Sequence, residues 1–170
     1  EVQTGFGRCG TLFAHELFDI KADIMTIAKG VGGGVPMGAF LATEKVASGF
    51  VPGDHGTTFG GGPLVCAAAN SVLDTILDEG LLENSKKVGA YFKDKLNELK
   101  GKHDKIVDVR GHGLMIGVEL SENGAAYVDK LREMGFLINC TADNVLRFVP
   151  PLIITEDEID KFVEALDKAL

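Results

Sequence analysis

The sequence predicts an α/β protein built in two unequal pieces, and three observations carry that prediction. Most of the 22 glycines fall between Gly5 and Gly62, including Gly30, Gly32-Gly33-Gly34 and Gly60-Gly61-Gly62. Short apolar runs of strand length interrupt that glycine-rich stretch. From Leu64 onward, apolar residues recur at helical spacing and alternate with further strand-like runs. A chain of 170 residues can bury a core as one ordinary domain or two small ones.

The elements follow in order. Ile24-Met25-Thr26-Ile27-Ala28 is a β-tolerant apolar run between Asp23 and the Lys29-Gly30 turn, and predicts a buried strand. Gly38 to Thr43 predicts another. A helix is expected over Leu64 to Glu79, with Pro63 at its first position and Gly80 just past its end. Its residues Leu64, Ala68, Val72, Leu73, Ile76 and Leu77 share a face. Leu81 to Lys100 carries Val88, Tyr91, Phe92, Leu96 and Leu99 at helical spacing and stops at Gly101. Strands are expected at Ile106 to Val109 and Leu114 to Leu120, then a helix from Ala125 to Met134 ended by Gly135. Two more strands, Phe136 to Asn139 and Val145 to Val149, lead to Pro150-Pro151. The last helix opens on Thr155-Glu156-Asp157-Glu158, a capping box, with Ile159, Phe162, Val163 and Leu166 along one face.

Composition narrows the function. The net charge is −8 and the basic residues are interleaved with acids, which argues against nucleic acid or an anionic membrane as partner. No apolar run approaches the roughly 18 residues a membrane helix needs. The first residues have no signal-peptide pattern and no initiator Met, so the protein is expected to begin upstream. Cys9, Cys66 and Cys140 are odd in number and far apart, which fits reduced thiols and a cytoplasmic location. His15, His55, His103 and His112 lack ligand-like spacing, so no metal site is expected.

Three constellations could carry chemistry. Lys29 stands at the end of an apolar strand and opens the turn Lys29-Gly30-Val31-Gly32-Gly33-Gly34. Glycines let backbone approach a flat or charged ligand, and a lysine dehydrated at a strand mouth becomes a usable amine nucleophile. A surface lysine in a flexible glycine loop fits the same residues. His55-Gly56-Thr57-Thr58-Phe59-Gly60-Gly61-Gly62-Pro63 places two hydroxyls and free N–H groups before a helix, an arrangement suited to a phosphate. It is not a Walker loop, and a plain glycine turn with a threonine cap would read alike. Arg147 interrupts the strand Val145-Leu146-Arg147-Phe148-Val149 and points away from Leu146 and Phe148, into solvent or a cleft. In a cleft it would grip a carboxylate; as a solvated edge-strand arginine it would do nothing.

Taken together, these motifs resemble class III (ω-type) aminotransferases of the acetylornithine/ornithine branch. The resemblance runs through Glu1-Val2-Gln3-Thr4-Gly5-Phe6-Gly7-Arg8, Ile27-Ala28-Lys29-Gly30 and Gly32-Gly33-Gly34-Val35-Pro36-Met37-Gly38-Ala39. It continues in His55 to Gly61 and in Asn144-Val145-Leu146-Arg147-Phe148-Val149-Pro150-Pro151-Leu152. Two positions depart from the family pattern: Gly62 stands where Asn is usual, and Cys9 where Thr is usual.

The resemblance implies the carboxy-terminal part of a pyridoxal 5'-phosphate (PLP) transferase of fold type I. Residues 1–80 would be the end of the PLP-binding large domain with its mixed sheet, and residues 81–170 the small carboxy-terminal α/β domain. Lys29 would form the covalent link to PLP and then shuttle the proton. Gln3 would lie near the cofactor's phenolic oxygen, and Thr58 with Thr57 would bind the cofactor phosphate of the neighbouring subunit of a homodimer. Arg147 would hold the substrate α-carboxylate. The implied reaction moves the δ-amino group of N-acetylornithine to 2-oxoglutarate in arginine biosynthesis. The Asp that pairs with the pyridine nitrogen would precede Glu1, so these residues alone are expected to be an inactive fragment. Ornithine, succinylornithine or 4-aminobutyrate aminotransferase, glutamate-semialdehyde aminomutase and a non-catalytic dimerisation module are the alternative readings.

Overall fold

The computed structural model describes residues 1–170. Two strands, β1 (Ile24–Ala28) and β2 (Gly38–Ala42), pair antiparallel with Ile24 opposite Ala42 and Ala28 opposite Gly38. A single-turn helix α1 (Glu44–Ala47) follows, then α2 (Pro63–Asp78) and α3 (Leu81–Lys100). Next come β3 (Ile106–His112), β4 (Met115–Leu120), α4 (Ala125–Glu133), β5 (Asn139–Thr141), β6 (Val145–Phe148) and α5 (Glu156–Ala169). The last four strands form one antiparallel sheet in the order β3-β4-β6-β5.

That sheet keeps one face dry. Ile116, Val118 and Leu120 of β4 and Leu146 and Phe148 of β6 alternate inward, as a half-buried sheet requires. In β3 the buried pair is Ile106 and Val109, three residues apart, because a bulge between Ile106 and Asp108 adds one residue and restores the phase. Helices α3, α4 and α5 cover this face and complete a cluster of 19 buried residues. Phe92, Phe148 and Phe162 meet at its centre, with ring centroids 5.1–5.7 Å apart. The expected capping box of α5 is formed: Thr155 Oγ1 accepts from Glu158 N–H, and Glu158 Oε2 accepts from Thr155 N–H at 2.9 Å.

The first region packs differently. Only Phe6, Val31 and Ile76 form its buried cluster, supported by half-buried neighbours from α2 and the start of α3. The strand expected to be buried is not: Ile24 is 55% exposed, and β1 and β2 pair only with each other. Leu64 and Leu77 likewise face solvent, and α2 is anchored through Ile76, Val72 and Ala69 instead. The short helix α1 and the 3-10 turns at Ala14–Phe18 and Lys29–Gly32 have no counterpart in the expected elements.

One strand is displaced. The run expected at Phe136 to Asn139 becomes a ladder only from Asn139 to Thr141. Continuing the register would set Phe136 to Ile138 against Phe148, Val149 and Pro150, and prolines have no N–H to donate. Phe136 and Ile138 still turn inward against the core while Leu137 points out, so strand alternation survives without the hydrogen bonds.

Candidate active site

Lys29 follows β1 directly and takes a left-handed backbone conformation, φ +52°. For a residue with a Cβ this costs roughly 1–2 kcal/mol. The turn behind it holds that conformation in place. Val31 is buried against Phe6 and Ile76, Gly33 N–H donates to Gly30 C=O, and a Cβ on Gly33 would lie 2.7 Å from Val72 Cγ2. Lys29 is therefore an exposed side chain on an anchored turn. The dehydration expected from a buried strand mouth is not supplied by these residues.

Gln3 arrives from a loop organised by Glu1. The Glu1 carboxylate accepts from Thr4 Oγ1 at 2.6 Å and from the N–H groups of Ala14 and His15 at 3.0 and 2.9 Å. Burial pulls its pKa up, but these three hydrogen bonds outweigh it and hold the carboxyl below its ordinary value. Arg147 lies on β6, an interior strand rather than an edge, with Leu146 and Phe148 buried behind it. Its Nη2 donates to Gln3 Oε1 at 3.1 Å across 144 residues of sequence.

Gln3, Lys29 and Arg147 line one cleft of about 590 Å3, whose walls include Phe6, Val72 and Leu152. A fourth polar group, Arg8, was not singled out from the sequence. Its Nη1 donates to the carbonyls of Leu114 and Pro150 at 3.0 and 2.5 Å. Burial pulls the Arg8 pKa below its ordinary value against the opposing pull of Cys9, and the like charge of Arg147 adds to the lowering. An arginine so perturbed remains a cation. The signal that could have found it was its place in the same short segment as Gln3. The cleft thus carries three cationic side chains and no Asp or Glu, in a chain of net charge −8. Such a lining favours an anionic occupant.

Thr57 and Thr58 are elsewhere. Both are exposed in the loop between α1 and α2, and neither lines the cleft. No side chain caps α2, so the threonine cap considered from the sequence is absent. The loop turns back tightly, since a Cβ on Gly60 would meet Thr57 Cγ2 at 2.1 Å. A larger and more apolar cleft of about 790 Å3 opens on the other side of Arg147, between Phe136, Leu137, Val149 and Ile153. It is lined by Lys161 and Glu158 but by neither Gln3 nor Lys29, so we place the chemistry in the smaller one.

The fold and the cation-lined cleft define an α/β protein with a lysine amine beside two arginines. The aminotransferase class-III family model matches residues 1–170, and the chain belongs to that family. It is 53% identical over 166 residues to acetylornithine aminotransferase of Methanothermobacter thermautotrophicus, covering 98% of this chain and 43% of that protein. The crystal structure of acetylornithine aminotransferase from Elizabethkingia anophelis superposes with a TM-score of 0.92 at 38% identity, over 99% of this chain and 44% of that one. Ornithine aminotransferase of Toxoplasma gondii, with PLP at partial occupancy in its active site, gives 0.93 at 37% identity, over 99% and 41%. The chain therefore spans about 43% of the length of the curated relatives it matches.

Proposed function

We propose that this chain is the carboxy-terminal part of a PLP-dependent acetylornithine aminotransferase, which transfers the δ-amino group of N-acetylornithine to 2-oxoglutarate in arginine biosynthesis. The observation that carries the reading is one cleft in which Lys29, Gln3 and Arg147 converge with no carboxylate among them. The residues present fit PLP. A primary amine faces the cleft for the aldehyde, cations suit its anionic groups, and Gly30 and Gly33 leave the turn without side chains on the cleft wall.

When bound, PLP supplies the electron sink for the exchange. Lys29 Nζ would hold the cofactor through its amine and, as a free amine, would take up and return a proton at atoms within its reach. Gln3, whose amide lines the cleft, would hold the cofactor on its phenolic side. Arg147 receives the α-carboxylate of amino and 2-oxo acid through its guanidinium fork, exchanging its contact with Gln3 for a charge-assisted one. Thr58 with Thr57, remote from this cleft, serves the cofactor phosphate of a second subunit in a homodimer. Residues 1–80 then belong to the large PLP-binding domain and residues 81–170 to the small one.

The reading is tested in the intact enzyme with N-acetylornithine, ornithine, succinylornithine and 4-aminobutyrate as donors. The highest kcat/KM is expected for N-acetylornithine, with a loss of about 10^3-fold or more in Lys29→Ala. Preference for 4-aminobutyrate, or an active Lys29→Ala, would contradict it.

A further inference from the structure

We infer that Arg8 is a positioning residue, which fixes the carboxylate-binding end of β6 against the segment that carries Gln3; the inference rests on the reading of Arg147 proposed above. Arg8 ties together segments far apart in sequence. Its guanidinium donates to Leu114 C=O in the β3–β4 turn and to Pro150 C=O just beyond β6. Its own carbonyl accepts from Leu114 N–H at 2.9 Å and from the hydroxyl of the fully buried Ser85 on α3 at 3.3 Å.

The seat beneath it leaves no slack. Gly113 has φ +52°, and a Cβ there would lie 2.5 Å from the Cys9 carbonyl carbon and 2.6 Å from Gly10 N. Backbone rests on backbone, so the residue 8–10 segment has one place to sit. On the other side, Pro150 and Pro151 offer no N–H by which the chain leaving β6 could be pinned. Arg8 holds that chain by a carbonyl instead. Arg147 lies three residues before Pro150 and reaches Gln3, five residues before Arg8. The contacts Arg8 to Pro150, Arg147 to Gln3, and the two short chain segments joining them form a closed ring. Moving Pro150 moves Arg147 relative to Gln3 and hence to any carboxylate shared with the cofactor.

Charge and geometry can be separated. Lysine would keep the positive charge of Arg8 in the cleft, but its ammonium sits on a stem one atom shorter and lacks the planar guanidinium that sets Nη1 between the two carbonyls. The test is calorimetric titration of glutarate, an unreactive dicarboxylate, into the intact PLP-loaded enzyme. Wild type is compared with Arg8→Lys, Arg8→Gln, Arg147→Met and the Arg8→Lys/Arg147→Met double variant. We expect the glutarate Kd to rise about tenfold in both Arg8 variants, the scale of one lost hydrogen bond to a charged group. The KM for 2-oxo acid should rise more than kcat falls, with the absorbance of the bound cofactor unchanged. In the Arg147→Met background, Arg8→Lys should weaken glutarate no further, because both act on one contact. Affinity within about twofold of wild type in both Arg8 variants, or losses that simply add in the double variant, would overturn the inference. If Arg147→Met alone weakens glutarate while the Arg8 variants do not, the inference falls and the reading of Arg147 stands. If Arg147→Met binds glutarate like wild type, both fall.

Discussion

The two halves of this chain solve the burial problem to different degrees. Residues 81–170 close a four-stranded sheet beneath three helices and bury 19 residues in one cluster. Residues 1–80 bury three in theirs and leave Ile24, Phe40, Leu41 and Phe50 each about half exposed on and beside a two-stranded ribbon. An isolated two-stranded ribbon is marginal in water. The first region is ordered instead by what it leans on. Val31 and Phe6 pack against Ile76, and Arg8 and Gly113 join it to the second region. The cleft lies along that seam: Gln3 and Lys29 come from the loosely packed half, and Arg147 comes from the tightly packed one.

The largest expected contrast is in the cores. Phe92→Ala should cost about 3–5 kcal/mol of stability by urea unfolding, the usual penalty for emptying a packed aromatic site. Phe40→Ala, at a half-exposed ribbon position, should cost under about 1 kcal/mol in residues 1–170. Equal losses would erase the distinction. Next comes the seam. Gly113→Ala must displace the Cys9–Gly10 backbone and strain a left-handed residue, for about 1–3 kcal/mol. It should also raise amide exchange at residues 3–10 more than in β4. A uniform increase would mean the seam is not a separate unit.

The smallest effect expected is acid sensitivity of the second region. The hydrogen bond from His103, 2.6 Å away, and then the charge of Lys102 hold the Asp167 carboxyl below its ordinary value. A depressed folded pKa stabilises above the unfolded value, near 3.8, and the contribution is lost as pH falls through the folded one. Asp167→Asn should therefore lower stability by a small constant amount above about pH 4 and flatten the slope of the profile below it. An unchanged acid limb would assign that sensitivity to other carboxylates.

Much of the second half was legible because its signals are local. The Thr155 box, the stripe from Ile159 to Leu166 and the glycine stops at Gly80 and Gly101 each act within a turn or two of themselves. The bulge in β3 and the shortened β5 were not, because they depend on which strand lies opposite and on Pro150 in that partner. In the first half, the pattern of Ile24 to Ala28 correctly named a strand but could not say whether a layer covers it. At the site, Lys29 and Arg147 were readable from the residues and Gln3 through the family resemblance, and the three meet in one cleft. Arg8 was passed over because its partners are backbone carbonyls 106 and 142 residues away, which no side-chain pattern records. Thr57 and Thr58 lie outside the cleft.

The central claim is that Lys29 is the amine that carries the cofactor. Borohydride reduction of the intact enzyme with PLP, followed by mass mapping of the peptides, tests it most directly. A single pyridoxyl adduct on Lys29, with loss of the visible absorption on reduction, is the result this account predicts. Adducts scattered over surface lysines, or a selective adduct on a lysine outside the cleft, would contradict it.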